Sequence, residues 1–214
     1  MTHRFWQGVS VQLLMIAANV ACGPVRGEVI LCVETTPTPE TFLPYPEARV
    51  SIRTGRPDEA DALAKLHVDV WRATYRDYAS AEAFKMLDEA KRLPYWQDAL
   101  LDKRPCAGVF VAEQDASLLG VVSYGPSQHE SFAGRTEIKH LYVAELARGL
   151  GVGRLLLKAV LDDESAARPG LALAVVRQNN SARRFYKKMG GAEIGTFIDP
   201  GPLWKSENII VAWD

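Results

Sequence analysis

Cysteine is scarce in this chain: Cys22, Cys32 and Cys106 are the only three among 214 residues. An odd count leaves one thiol over in any disulfide scheme, and the spacing offers no pair of metal ligands. Cys106, between Pro105 and Ala107, has no histidine close by to activate it, which argues against a nucleophile. Histidine is also sparse. His3, His67, His129 and His140 form no HExxH pattern, so no metal site is expected. The segment Gly125-Pro126-Ser127-Gln128-His129 lacks the glycine two residues after the serine that a nucleophile elbow requires. An excess of one charge is missing too. The formal net charge is -1, so there is no basic field to recruit nucleic acid. Arg183, Arg184, Lys187 and Lys188 are a local cluster that reads as the solvated side of a helix. Long apolar runs are absent as well: residues 9–22 are interrupted by Gln12 and Asn19, too short and too polar to span a membrane.

The residues that are present describe an ordinary globular domain. With 48% hydrophobic and 24% charged residues, a chain of this length suits one compact core. Its most specific stretch is Arg148-Gly149-Leu150-Gly151-Val152-Gly153. Residues 136–143 before it read as a strand. After it comes a helix with apolar residues at Val152, Leu155, Leu156, Ala159 and Val160. A glycine-rich turn between strand and helix N-terminus leaves backbone N–H groups free to hold a phosphate. The spacing is not that of a Walker loop, since Gly153 is followed by Arg154 and Leu155, nor of the dinucleotide fingerprint G-x-G-x-x-G. Taken alone, the three glycines could equally form a flexible connection.

The segment from 171 to 191 narrows the choice. Leu171-Ala172-Leu173-Ala174-Val175-Val176 is a short apolar run typical of a strand covered on both faces. Asn179, Asn180 and Ser181 then offer helix-capping side chains. The next helix carries Ala182, Phe185, Tyr186 and Met189 on one face and stops at Gly190. Arg148-x-x-Gly151-x-Gly153, followed by Asn179-x-x-Ala182-x-x-Phe185-Tyr186, resembles the GNAT superfamily of acyl-CoA-dependent N-acyltransferases. The likeness covers residues 50–214. One departure is Gly190-Gly191, where the family usually has glycine and then an aromatic ring. Phe197 or Trp204 is expected to fill that space.

Residues 1–48 stand outside the pattern. Residues 35–46, with Pro37, Pro39, Pro44 and Pro46, read as an irregular linker. The segment before them is a weak signal-like stretch, and is read as an appended extension or a misassigned start rather than an export signal. Residues 49–214 form the catalytic domain of the resemblance. A strand over 49–53 leads into a helix opened by Pro57, Asp58 and Glu59, with His67 on its apolar face. A second helical region, 81–101, is expected to break near Pro94. Two strands around Gln114-Asp115-Ala116-Ser117 form a hairpin, and strands near 192–198 and 207–213 close the chain. The alternation predicts an α/β fold with a covered mixed sheet. The resemblance implies a mostly antiparallel sheet of about seven strands with helices on both faces.

The resemblance also implies a chemistry. Acetyl transfer from a thioester to an amine requires an uncharged amine, a stabilised oxyanion and a proton for the leaving thiolate. Leu141, Tyr142 and Val143 would pair with the pantetheine arm of acetyl-CoA. The N–H groups of Arg148, Gly149, Leu150, Gly151, Val152 and Gly153 would cradle its pyrophosphate. Asn179 would contact the cofactor, and Tyr186 would be the general acid at its sulfur. No metal is implied. Each residue has a plainer reading: Tyr186 as a packed ring, Asn179 as a helix cap. Glu137, on the same strand side as Lys139 and Leu141 if the strand is regular, is a candidate base or a solvated carboxylate. His140 would face the other way. Trp71, Tyr75 and Tyr124 are candidate walls for the acceptor.

Two functions remain open. The first is a cytoplasmic N-acetyltransferase acting on a primary amine of a small molecule or peptide, by direct transfer in a ternary complex. The second is a non-catalytic acyl-CoA-binding or sensory module. Neither needs nucleic acid or a membrane as partner, and a homodimer is compatible with both.

Overall fold

The computed structural model describes residues 50–127, 130–132, 134–167, 170–201 and 204–214. The extension expected over 1–48, with His3, Cys22 and Cys32, lies outside the described residues, as does His129. The elements are β1 (Ser51–Thr54), α1 (Ala60–Tyr75), α2 (Ala81–Met86), α3 (Glu89–Leu101), β2 (Gly108–Gln114), β3 (Ser117–Pro126) and β4 (Thr136–Val143), then α4 (Val152–Leu161), α5 (Glu164–Ala167), β5 (Leu171–Val176), α6 (Asn180–Lys188), β6 (Ala192–Asp199) and β7 (Ser206–Trp213). The strands form one sheet in the order β1-β2-β3-β4-β5-β7-β6. Every neighbouring pair is antiparallel except β4 and β5. This is the mixed, mostly antiparallel sheet expected from the sequence.

Helices cover both faces. On one, Leu63 and Ala64 of α1 and Trp96 and Leu100 of α3 pack on Val109, Val111 and Val121. On the other, Val152, Leu156, Leu157 and Val160 of α4 and Tyr186 of α6 pack on Val122, Leu173, Ile209 and Val211. The period of α4's buried residues is that of an amphipathic helix, so burial of its stripe holds it against the sheet. The β2–β3 hairpin turns at Asp115 and Ala116, with φ of 49° and 60°. Two consecutive left-handed residues give the turn whose twist matches the strands it joins.

Pro94 does not break the second helical region; it lies inside α3. The break falls earlier, between α2 and α3, where the Asp88 carboxylate accepts from Lys91 N at 2.8 Å and starts a new helix. Pro94 faces solvent, while Leu87, Trp96 and Leu100 are buried on the inner side. Cap and burial together outweigh the one backbone bond that proline removes.

The space beside Gly190-Gly191 is filled by Trp213, not by Phe197 or Trp204. The Trp213 ring packs edge-on against Tyr186 at 6.0 Å, and its indole N–H donates to Met189 O at 2.9 Å. Phe197 packs on Phe132, and Trp204 on Trp71 and Tyr75. A Cβ on Gly191 would stand 2.6 Å from Val211 Cγ1 and 2.8 Å from Trp213 Cζ2. The last strand thus supplies the ring that the local sequence lacks.

Two predictions follow from this core. Gly191→Ala should destabilise the fold by about 1–3 kcal/mol, the usual cost of overpacking, read as a lowered midpoint in urea; an unchanged midpoint would contradict the contact. The second concerns His67, which is 1% exposed and whose pKa burial, with Arg92 second, lowers from 6.5 to about 3. Below 6.5 the unfolded chain takes up a proton that the native state refuses. Stability contributed by this group is therefore complete above 6.5 and lost as the pH falls toward 3, at up to about 1.4 kcal/mol per pH unit. Urea titrations at stepped pH should show a shallower acid loss for His67→Gln than for the parent chain. Equal slopes would show that His67 is charged in the native state.

Candidate active site

β4 and β5 pair through only two registers, Thr136 with Leu171 and Glu137 with Ala172. Beyond them the strands diverge. β4 continues to pair with β3 as far as Val143, and β5 pairs with β7 along its whole length. The fork opens into a cleft of about 1090 Å³ lined by Ile138, His140, Leu141, Tyr142 and Val143 on one side and Leu173, Ala174 and Val175 on the other. Ala174 is exposed within an otherwise buried strand. Backbone that would pair in a closed sheet faces this opening.

The glycine loop lies at the mouth of the cleft. Gly149 and Gly151 have φ of 81° and 83°, a conformation that glycine adopts without steric cost. Gly151 is the N-cap of α4, so the first-turn amides of Val152 and Gly153 have no acceptor within the helix. Arg148, Gly149, Gly151, Val152 and Gly153 all line the cleft. Leu150 does not join them: its amide turns back to Ala147 O at 3.4 Å, and its side chain is 67% exposed. The Arg148 amide is likewise used internally, donating to Glu145 O at 3.2 Å. What Arg148 offers instead is a guanidinium, now donating to Thr74 Oγ1 at 3.2 Å. The anion cradle expected over six amides is therefore narrower, centred on the two left-handed glycines and the start of α4.

α6 forms the far wall. The Asn179 carboxamide accepts from Ala182 N at 3.1 Å, and the side chain also meets the Tyr75 phenol. Tyr186 lines the cleft while only 8% exposed. Its pKa is pushed well above the ordinary phenol value by burial, with Tyr75 adding to the effect. Tyr142 is raised in the same way, burial first and Tyr75 second. Both phenols therefore remain protonated at neutral pH. A protonated phenol facing the cleft is a proton donor waiting for an acceptor.

The candidates along β4 are placed differently from a regular strand. Ser123 is opposite His140, and Tyr124 opposite Ile138, so Lys139 is the extra residue of a β-bulge. The bulge shifts the alternation. Leu141 packs with the core under α4, whereas His140 lies on the α1–α3 side, 4.8 Å from the His67 ring and 4.6 Å from that of Tyr95. His140 lines the cleft, and its Nδ1 is 3.2 Å from Ser123 Oγ. Burial, then His67, lowers its pKa well below the ordinary value, so the ring is neutral. Glu137 sits where β4 and β5 still pair, 3.4 Å from Lys139 Nζ, and its side chain is outside the cleft lining.

Among the acceptor candidates, only Tyr75 reaches the cleft. Trp71 is 6% exposed and packs among Tyr75, Phe84 and Trp204. Tyr124 is 6% exposed on the opposite face, and its hydroxyl donates to Asp163 at 2.6 Å. It is core, because the strand position that carries it faces α4. Thr74 and Phe185 also line the cleft, and so do Arg184 and Lys188, which the sequence reading places on the solvated side of the helix. Arg183, whose spacing to Lys187 is the same, is instead paired to Glu193 at 2.8 Å, so spacing alone does not single out the pair that faces the cleft.

Comparisons with known proteins agree with this geometry. The uncharacterized N-acetyltransferase YuaI of Bacillus subtilis is 30% identical over 109 residues, which cover 50% of this chain and 60% of that protein's length. The ribosomal-protein-alanine N-acetyltransferase of Brucella melitensis superposes with a TM-score of 0.58 at 26% identity, over 76% of this chain and 98% of that one. The PaiA N-acetyltransferase of Thermoplasma acidophilum, solved with coenzyme A, shares the fold at a TM-score of 0.60 and 18% identity, over 77% and 99% of the two chains. The sequence profile of the Acetyltransferase (GNAT) family matches residues 63–191. With its fork, its glycine loop and its capped α6 in one cleft, the chain belongs to the acetyltransferase (GNAT) family of acyltransferases.

Proposed function

We propose that this protein is an N-acetyltransferase that moves the acetyl group of acetyl-CoA to a primary amine of a small molecule or peptide. The observation that carries the reading is the convergence of three features on one cleft: unpaired β4 backbone, the glycine loop and the Tyr186 phenol. The pantetheine arm lies in the fork and pairs with β4 from Leu141 to Val143, where a backbone N–H polarises the thioester carbonyl. The pyrophosphate rests on the amides that begin α4, with Arg148 beside it. Coenzyme A in the PaiA structure supports this choice of donor.

Transfer is direct, in a ternary complex. The amine attacks the thioester carbon, the C–S bond breaks, and Tyr186 protonates the departing thiolate. Cys106, half-buried beside the start of β2, is outside the cleft and is not a carrier of the acetyl group. We assign receipt of the amine's proton to His140, whose neutral ring lines the cleft. Glu137, three residues earlier on β4, takes the proton onward through water.

Release of free thiol from acetyl-CoA across a panel of amines tests the reading. Tyr186→Phe keeps the ring but removes the donor, so turnover should fall roughly 10²-fold while coenzyme A affinity is retained; in the same assay His140→Ala should cost more than Glu137→Gln. Equal turnover in Tyr186→Phe would remove the acid assignment. Gly151→Val places a branched side chain on a left-handed residue at the cradle and should abolish thermal stabilisation by coenzyme A. Unchanged stabilisation would refute the phosphate-loop assignment. Stabilisation by coenzyme A without thiol release for any amine would favour the binding module instead.

A further inference from the structure

Ser123 is a polar residue in a row of larger buried ones. Val121, Val122 and Tyr124 flank it on β3, and Ser123 itself is 1% exposed. A hydroxyl in such a place costs free energy unless it is hydrogen-bonded. Its two partners come from other elements. Ser123 Oγ is 2.8 Å from the Tyr95 hydroxyl of α3 and 3.2 Å from His140 Nδ1 of β4. The register beside the bulge brings His140 opposite Ser123, and the Tyr95 ring packs on that of His140 at 4.6 Å. His140 lines the cleft, while Ser123 and Tyr95 do not. Three groups from three elements thus form a row that starts at the cleft wall and runs back to α3.

The row decides which nitrogen of His140 is available. Nδ1 is taken by Ser123. Nε2 has no hydrogen-bond partner among the described residues, yet it is not one of the buried polar atoms left unmatched, so it is the nitrogen open to the cleft. The two hydroxyls can turn either way while the ring is neutral. Only one direction survives protonation. An imidazolium donates from both nitrogens, so Ser123 must accept from Nδ1–H, and its own O–H then turns to Tyr95. In the neutral ring the same direction leaves Nε2 bare, the form that can receive a proton. The other titratable groups facing His140 are His67 of α1, Arg92 of α3, and Lys139 and Tyr142 of its own strand. His67, Arg92 and Lys139 disfavour a charge on the ring, and the Tyr142 hydroxyl meets His67 Nε2 at 3.5 Å. A carboxylate at Nδ1 would favour a charged ring before the amine arrived; a hydroxyl fixes the proton without adding charge.

We infer that Ser123, backed by Tyr95, is a positioning residue for the transfer: it holds His140 with Nε2 bare and accepts from Nδ1–H once Nε2 has taken the amine's proton. Only one proton moves. It leaves the amine nitrogen and bonds to Nε2, while Nδ1 keeps its own throughout. Neither Ser123 nor Tyr95 touches a substrate; both act through the imidazole. The inference rests on the N-acetyltransferase reading with His140 as proton acceptor, and its first readout needs no turnover.

Histidine ¹⁵N spectra of the full chain with coenzyme A bound report which ring nitrogen is bare, the His140 signals being identified by their loss in His140→Ala. The parent chain should show Nε2 bare. Tyr95→Phe keeps the ring against His140 but removes the acceptor of the serine O–H, which should turn to Nδ1 and move the ring proton to Nε2. Ser123→Ala removes the acceptor of Nδ1–H and should shift the tautomer the same way. In the thiol-release assay both variants should lose roughly 10-fold or more in kcat with the KM for acetyl-CoA unchanged, part of the about 10²–10⁴ that a positioned base contributes. Nδ1 bare in the parent chain, a tautomer unmoved in both variants, or an unchanged kcat in both would overturn the inference. No thiol release by the parent chain with any amine would instead count against the N-acetyltransferase reading, with the tautomer still decided by the spectra.

Discussion

The parting of β4 from β5 after two pairs of residues is the constraint on which the rest of the site depends. A parallel pair at the centre of a sheet normally continues, because every unpaired N–H and C=O there loses a partner. Here two features prevent it. The bulge at Lys139 bends β4 away just after the last shared register, as an extra residue does by increasing local twist. β5 cannot follow, since six registers bind it to β7. The backbone left open faces a cleft rather than a core. The elements that leave the two tines, the glycine loop after β4 and α6 after β5, both come to stand at its edges.

The same arrangement keeps the buried phenols and imidazoles at the fork neutral. Tyr75, Tyr142 and Tyr186 are raised and His67 and His140 lowered, with burial the first cause in each case. Low dielectric disfavours whichever form is charged, so phenols keep their protons and imidazoles remain without a second one. Donors and acceptors of a single proton therefore stand on opposite sides of one space, Tyr186 on α6 and His140 on β4. The Arg92 charge adds to burial in keeping His67 and His140 uncharged.

Local signals in the sequence were enough for the elements that define the fork. The unbroken apolar run at Leu171 to Val176 marked β5, Asn179 marked the start of α6, and the glycines marked the turn into α4. Each depends on chemistry within a few residues. The misplaced features depend on distant partners. The bulge at Lys139 exists only against Ser123 and Tyr124, so strict alternation put Glu137 and Leu141 on one side, whereas it is Ile138 that shares the α4 core with Leu141. Trp213 fills the space beside Gly191 from a strand more than twenty residues later. Tyr124 was legible as an aromatic near the fork, but not as a core residue bonded to Asp163.

Amide hydrogen exchange with and without coenzyme A tests the central claim, that the open backbone of the fork is where the cofactor binds. Coenzyme A should slow exchange in residues 138–143 and in residues 149–153, and leave β1 and β2 unchanged, since the pantetheine arm and pyrophosphate would take up those amides. Protection confined to other segments, or none in β4 despite binding, would contradict the account.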